Sequence, residues 1–302
     1  MSMTMNRESD RIVDRYPSRC DAEPSITERL DPVLWGDGDG PLDAAQLAAY
    51  ERDGHLIVTD LLGSAMVDRC LTAARQLASA PKAGSTVVAE PDHDGALRSV
   101  FELDRHPVFA ELMAMPELAG VGRQLLGSDV SIHQSRLNLK RAFVGRGFPW
   151  HSDFETWHVE DGMPAMRAVS CSVALTDNGP HNGPLLLIDG SHRWFVSCVG
   201  ETPTDHHIHS LRRQEYGVPD PASLSWLADR GGVSVFTGRA GSVAFFECNT
   251  MHGSADNITP DARTNAFFVY TSVDNALEAP FGTDLPRPSY LARREIRPVI
   301  ER

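Results

Sequence analysis

Phe148-Pro149-Trp150-His151-Ser152-Asp153-Phe154-Glu155-Thr156-Trp157-His158 sets a histidine and an aspartate two residues apart among bulky aromatics. On a strand, side chains alternate faces, so residues i and i+2 point the same way with Cα atoms roughly 7 Å apart. His151 and Asp153 can then grip one ion. An imidazole and a carboxylate are two of the three ligands of a 2-His-1-carboxylate facial triad, which suits non-haem Fe(II) and leaves coordination positions open. His-x-Asp pairs also arise by chance, and a surface strand holds both as solvated polar groups. The rest of the chain has to decide between these readings.

Beyond Ser128, short strands alternate with Gly, Pro and Asn turns, the pattern of an all-β sandwich or barrel. Across residues 131–143 the even positions are Ile132, Gln134, Arg136, Asn138 and Lys140, and the odd ones include Leu137, Leu139 and Phe143. Such a face fits either an outer strand with a wet side or the wall of a polar cavity. Residues 166–175 set Val169, Cys171, Val173 and Leu175 on one face and small Ala168, Ser170, Ser172 and Ala174 on the other, where they leave room for a ligand. Alternation from Phe246 carries Cys248, Thr250, His252 and Ser254 in one phase if the strand stays regular, and His252 is the third candidate ligand. Arg263 opens a further strand-like run with Asn265, Phe267 and Val269 in its phase. A guanidinium near a metal is a fork of donors suited to a carboxylate. A buried arginine standing alone is better explained by a salt bridge.

Upstream the pattern is scaffold. Residues 1–40 are polar and read as a loose arm, with Ser25-Ile26-Thr27-Glu28 fitting a capping box before a short helix. A helix follows from Leu42 through Tyr50 and stops at Gly54; His55 to Thr59 is strand-like; a second helix starts with Ser64 as N-cap; residues 107–126 are helical with a break near Pro116. Residues 41–302 read as one domain with an irregular insertion around 199–235.

The 302 residues can bury about three quarters of the unfolded chain's surface. A composition of 41% apolar and 23% charged residues is that of a globular protein rather than a disordered one. A net charge of −13 with no basic block excludes the electrostatic footprint of a nucleic-acid binder. Five scattered cysteines without a C-x-x-C pair argue for free thiols in a reducing compartment. No apolar run approaches the ~18 residues of a membrane span, and the charged N-terminus is unlike a signal peptide, so a cytoplasmic location is expected.

His-x-Asp, a distant His and then an Arg, all on expected strands, resemble the Fe(II)/2-oxoglutarate dioxygenases. FPWHSDFETWHVEDGMP (residues 148–164) with QSRLNLKRAF (residues 134–143) further resembles the ectoine-hydroxylating branch of the phytanoyl-CoA dioxygenase family. The resemblance runs from about residue 50 to the C-terminus. It implies a mostly β fold with flanking helices around a double-stranded β-helix, or cupin-like jelly roll, and a homodimer. It also implies iron on His151, Asp153 and His252, and 2-oxoglutarate on Arg263, Ser254, Lys140 and Asn138. An ectoine pocket would be built from Gln134, Trp157, Phe246 and Phe267, with Thr156 and Arg287. The implied reaction consumes O₂ and 2-oxoglutarate, releases succinate and CO₂, and yields 5-hydroxyectoine, an osmotic protectant. Rival readings are a related hydroxylase of another small zwitterionic or acyl substrate, a silent metal-binding jelly roll, and a zinc hydrolase. The last lacks a spaced general base. His158 is expected to order the site, His192 to stabilise a turn, and the histidines of residues 205–209 to be solvated.

Overall fold

The chain folds around antiparallel sheets of seven and four strands and a separate two-stranded pair, seen in a computed structural model that describes residues 13–80, 86–91, 93–203, 205–211 and 214–301. Its strands are β1 (Ser25–Glu28), β2 (His55–Val58), β3 (Val87–Glu90), β4 (His93–Phe101), β5 (Val130–Lys140), β6 (Phe148–His151), β7 (Ala168–Ala174), β8 (Leu185–Ile188), β9 (Trp194–Ser197), β10 (Val233–Val235), β11 (Val243–Glu247), β12 (His252–Ser254) and β13 (Arg263–Ser272). Helices are α1 (Ala44–Asp53), α2 (Ser64–Ser79), α3 (Pro107–Met113), α4 (Val121–Leu126), α5 (Asp153–Thr156), α6 (His207–Ser210) and α7 (Pro221–Gly231). The major sheet runs β2-β11-β7-β13-β5-β4-β3, the minor sheet β10-β8-β12-β6, and β1 pairs with β9. The core is the jelly roll that the resemblance implies.

Strand parity decides what each face of the major sheet meets. Val169, Cys171 and Val173 of β7, Phe245 of β11, and Phe268 and Tyr270 of β13 pack in one core with Tyr50, Val67, Cys70, Phe109, Leu112 and Leu125 from the helical half. Their neighbours Ser170, Ser172, Ala174, Phe246, Asn265 and Phe267 therefore face the space between the sheets. In β5 the strict even/odd division fails. Ile132 joins the helix-side core although it shares parity with Gln134. The cause is a bulge: Val269 pairs with Gln134 but Tyr270 pairs with Ile132, so His133 is an extra residue that flips the face beyond it. From Gln134 to Lys140 the polar phase then looks inward.

The helical half follows its local signals closely. Asp43 caps α1 in a reciprocal capping box with Gln46. Gly54 ends α1 at φ 79°, where a Cβ would sit 2.2 Å from the His192 ring, so both the turn and the packing require glycine. The second helix begins one residue earlier than expected, with Gly63 as cap and Ser64 already helical. The expected break near Pro116 appears as a π-helical turn, Pro116–Gly120, between α3 and α4.

The N-terminal segment corrects two expectations. Ser25 to Glu28 form a strand rather than a capped helix, because pairing with β9 satisfies their backbone groups over four registered residues. Residues 14–31 are not loose either: Tyr16, Ser18, Arg19 and Asp31 are buried. Residues 1–12 lie outside the described residues. The insertion around 199–235 contains α6 and α7 and ends in β10, which pairs with β8 as part of the minor sheet. No helix among the described residues is long and apolar enough to cross a membrane.

Candidate metal centre and its two cavities

β6 carries His151 to the end of the minor sheet, directly opposite His252 of β12. Asp153 does not continue that strand, as the i, i+2 argument assumed. Ser152 caps a helix through Glu155 N, and Asp153 is the first residue of α5. His252 likewise does not inherit its phase from Phe246. β11 ends at Glu247, and residues 248–251 carry the chain from the major sheet to the minor one. Phe246 and His252 meet because the sheets face each other, with ring centroids 4.8 Å apart.

Despite the changed route, the three side chains converge: one potential ligand atom from each of His151, Asp153 and His252 lies within 4.8 Å of the others. His151 Nε2 is 3.7 Å from Asp153 Oδ1, and His252 Nε2 is 3.9 Å from Asp153 Oδ2. Backbone carbonyls orient both rings. His151 Nδ1 is 2.8 Å from Pro149 O, and His252 Nδ1 is 2.9 Å from Thr250 O. A hydrogen on Nδ1 in each case leaves the Nε2 lone pair for a cation. Burial, then the neighbouring His151, pushes His252 down to about 4, so it is neutral and able to ligate at ordinary pH. Burial opposes the charge of Asp153, but His252, His151 and Arg136 outweigh it and hold the carboxyl below its usual range. Ser170, one of the small inward residues of β7, donates its hydroxyl to Asp153 Oδ2 at 3.2 Å. This donor set fits a metal.

Two cavities meet at the cluster. One is lined by His151 and His252 together with Asn138, Ser254, Arg263 and Phe267; the other by His151 and Asp153 together with Gln134, Thr156, Trp157 and Arg287. In the first, Arg263 is buried, with Nε and Nη1 finding no hydrogen-bond partner among the described residues. Its Nη2 donates to Asn138 Oδ1 at 3.2 Å. Lys140 lies across the β5–β13 register from Arg263 and donates from Nζ to Ser254 Oγ at 2.8 Å. Burial, then Arg98, lowers Arg263 to about 10; burial, then Arg263, lowers Lys140 to about 6. The salt bridge that would explain a solitary buried arginine is absent for Arg263 among the described residues. The local need is for an anion.

In the second cavity, Gln134 Nε2 donates to Leu291 O at 2.9 Å, and Trp157 packs against His133 with ring centres 4.8 Å apart. Arg287 forms a bidentate pair with Asp161, at 2.8 and 2.5 Å. Phe246 stands behind His252 and lines neither cavity, whereas Phe267 lines the first one, beneath the Arg136 guanidinium. His158 binds Met163 O and Asp14 and stacks on Phe281; it orders the chain around the site. His192 sits in a short turn against Glu51 O.

Sequence reasoning missed several groups. Arg136 lines both cavities; its place in the polar phase of β5 was the available signal. Among the histidines of residues 205–209, His206 is not solvated: it is buried, packs edge-on to Tyr216, and lines the second cavity with Gln214. No local pattern predicts that return of the insertion over the site.

A jelly roll that presents two histidines and a carboxylate at the mouth of a cationic cavity is the architecture of non-haem metal oxygenases. The profile of the phytanoyl-CoA dioxygenase family matches residues 50–265, and the chain belongs to that family. An ectoine dioxygenase of Sphingopyxis alaskensis is 53% identical over 286 residues, covering 93% of both chains. The crystal structure of EctD from S. alaskensis with 2-oxoglutarate and 5-hydroxyectoine matches at TM-score 0.86 and 48% identity, over 95% of this chain and 97% of that one. The same protein with bound Fe matches at TM-score 0.84 and 46% identity, over 96% and 98%.

Proposed function

We propose that this chain is an Fe(II)- and 2-oxoglutarate-dependent dioxygenase that converts ectoine to 5-hydroxyectoine. The observation that carries the proposal is the buried Arg263 fork, short of an anion, in a cavity shared with the His151/Asp153/His252 cluster. The full-length similarity to ectoine dioxygenases supports the choice of substrate.

When bound, iron with 2-oxoglutarate and O₂ supplies the oxidant for an aliphatic C–H bond, with succinate and CO₂ released. Every other requirement falls on the chain. Arg263 takes a carboxylate of the co-substrate, Asn138 holds the guanidinium in register, and Lys140 and Ser254 add donors at the same end. Gln134 keeps Oε1 free to accept from a ring N–H, since its Nε2 is engaged by Leu291 O. Trp157 offers an aromatic face to the delocalised amidinium cation, and Phe246 and Phe267 add apolar surface around the cluster. Thr156 and Arg287 complete the substrate wall; the remaining N–H groups of Arg287 are available for the substrate's carboxylate while Asp161 fixes its plane. A homodimer in the cytoplasm, built from a single domain over residues 41–302, is part of the same proposal, and light scattering of the purified protein tests the dimer.

The direct test is anaerobic reconstitution with Fe(II), followed by O₂ and 2-oxoglutarate with and without ectoine. Equal amounts of succinate and 5-hydroxyectoine are expected. Succinate without hydroxylated product would discard ectoine and retain the oxygenase, and a panel of small zwitterions would follow. His151→Ala and Asp153→Ala should lose both iron and turnover; full activity in either would refute the metal site.

A further inference from the structure

We propose that Arg19 is a positioning residue of the active site, through which the N-terminal segment holds the wall formed by residues 153–161. This rests on the reading of the Thr156/Trp157 cavity as the substrate pocket. Arg19 lies outside the residues matched by the family profile.

All five N–H donors of its guanidinium are used. Nε and Nη2 form a fork on Glu155, at 2.9 and 2.7 Å. Nη1 donates to Glu160 Oε1 at 2.6 Å and to Thr202 Oγ1 at 2.7 Å, and Nη2 also reaches Thr156 Oγ1 at 3.3 Å. The side chain is only 1% exposed. Burial works against its charge, but Glu155 and Glu160 outweigh it and hold the group firmly protonated. The backbone of Arg19 has φ 58°, a left-handed conformation uncommon for a residue with a Cβ, so local preference does not account for its placement. Gly217 closes over the pair, where a Cβ would lie 2.4 Å from Arg19 Nη2 and 2.5 Å from Glu155 Oε2.

These partners are not remote from the chemistry. Asp153 begins the helix that holds Glu155 and Thr156, and Thr156 and Glu160 line the cavity with Trp157. Neighbouring residues of the segment add to the hold: Ser18 donates to Glu155, Asp14 binds His158, and Tyr16 packs edge-on to Phe154. The imidazole ligands and Arg263 depend on other groups, namely Pro149 O, Thr250 O and Asn138. Loss of the Arg19 fork is therefore expected to damage substrate placement and to spare the co-substrate end. Lysine cannot reproduce the planar fork.

The test compares iron-loaded Arg19→Lys with wild type. A misplaced wall should raise the KM for ectoine by about tenfold or more, since small positional errors are costly in an oriented site. Hydroxyectoine formed per succinate should fall, while the anaerobic calorimetric affinity for 2-oxoglutarate stays near wild type. Amide hydrogen exchange in residues 153–161 should accelerate without change in β7 or β13, a readout that needs no substrate. A folded variant with unchanged KM, coupling and exchange overturns the proposal, as does parallel loss of ectoine and 2-oxoglutarate binding. If wild type itself ignores ectoine, the substrate reading falls and the exchange pattern alone decides on Arg19. Should Arg19→Lys fail to fold, Thr202→Val removes one donor's partner without stranding a charge and should give the same split at smaller size; no split there overturns the proposal.

Discussion

Replacing Arg263 by methionine keeps most of the side-chain volume and removes the fork. In the free protein, burial and then Arg98 lower the guanidinium to about 10, equivalent to about 3 kcal/mol that no counter-charge among the described residues repays. The substitution should therefore leave the melting temperature of the ligand-free protein unchanged or raise it. The bound state behaves oppositely. Truncating one partner of a buried, hydrogen-bonded charge pair costs about 2–5 kcal/mol, which is roughly 30-fold to several thousand-fold in affinity. Calorimetric titration of the iron-loaded, anaerobic protein with 2-oxoglutarate measures the second effect, and differential scanning calorimetry of the metal-free protein the first. Affinity near that of wild type would show that the fork does not hold the co-substrate. Marked destabilisation of the free protein would make Arg263 a structural residue and remove the argument from its missing partner.

Lys140 provides a pH test: with its folded pKa lowered to about 6, it is neutral in the free protein between about 6 and its ordinary value of 10.5, whereas the unfolded chain is protonated there. Stability of the free protein should thus rise with pH across that window. Binding an anionic co-substrate restores the charge, so titrations at pH 8 in buffers of different ionisation enthalpy should reveal proton uptake; its absence would free Lys140 from the site. Trp157→Ala should raise the ectoine requirement while 2-oxoglutarate decarboxylation without substrate persists, and unchanged ectoine kinetics would remove Trp157 from the pocket. Ser170→Ala deletes the 3.2 Å bond to Asp153 and should weaken iron binding about 10- to 100-fold, checked by competition with a chelator.

The residues of the candidate centre were legible in the sequence because their chemical types are specific. His151, Asp153, His252 and Arg263 are few, ordered and set in a strand-rich half, and the first helix announced its end at Gly54. The route by which they meet was not legible. A period-2 argument assumes continuous strands, whereas Ser152 turns the chain into a helix, residues 248–251 switch sheets, and the His133 bulge flips β5. Arg19 and His206 lay wholly beyond local reading, since Arg19 is held by Glu160 and His206 lines a cavity with Gln134 and Trp157, all distant in the chain. Sequence by itself determined which groups are available and which faces are apolar, because side-chain chemistry and short-range periodicity are local. Only the tertiary structure decided that Arg263 is left without a counter-ion among the described residues and that the N-terminal segment grips the wall of the site, because burial and long-range pairing belong to the folded whole.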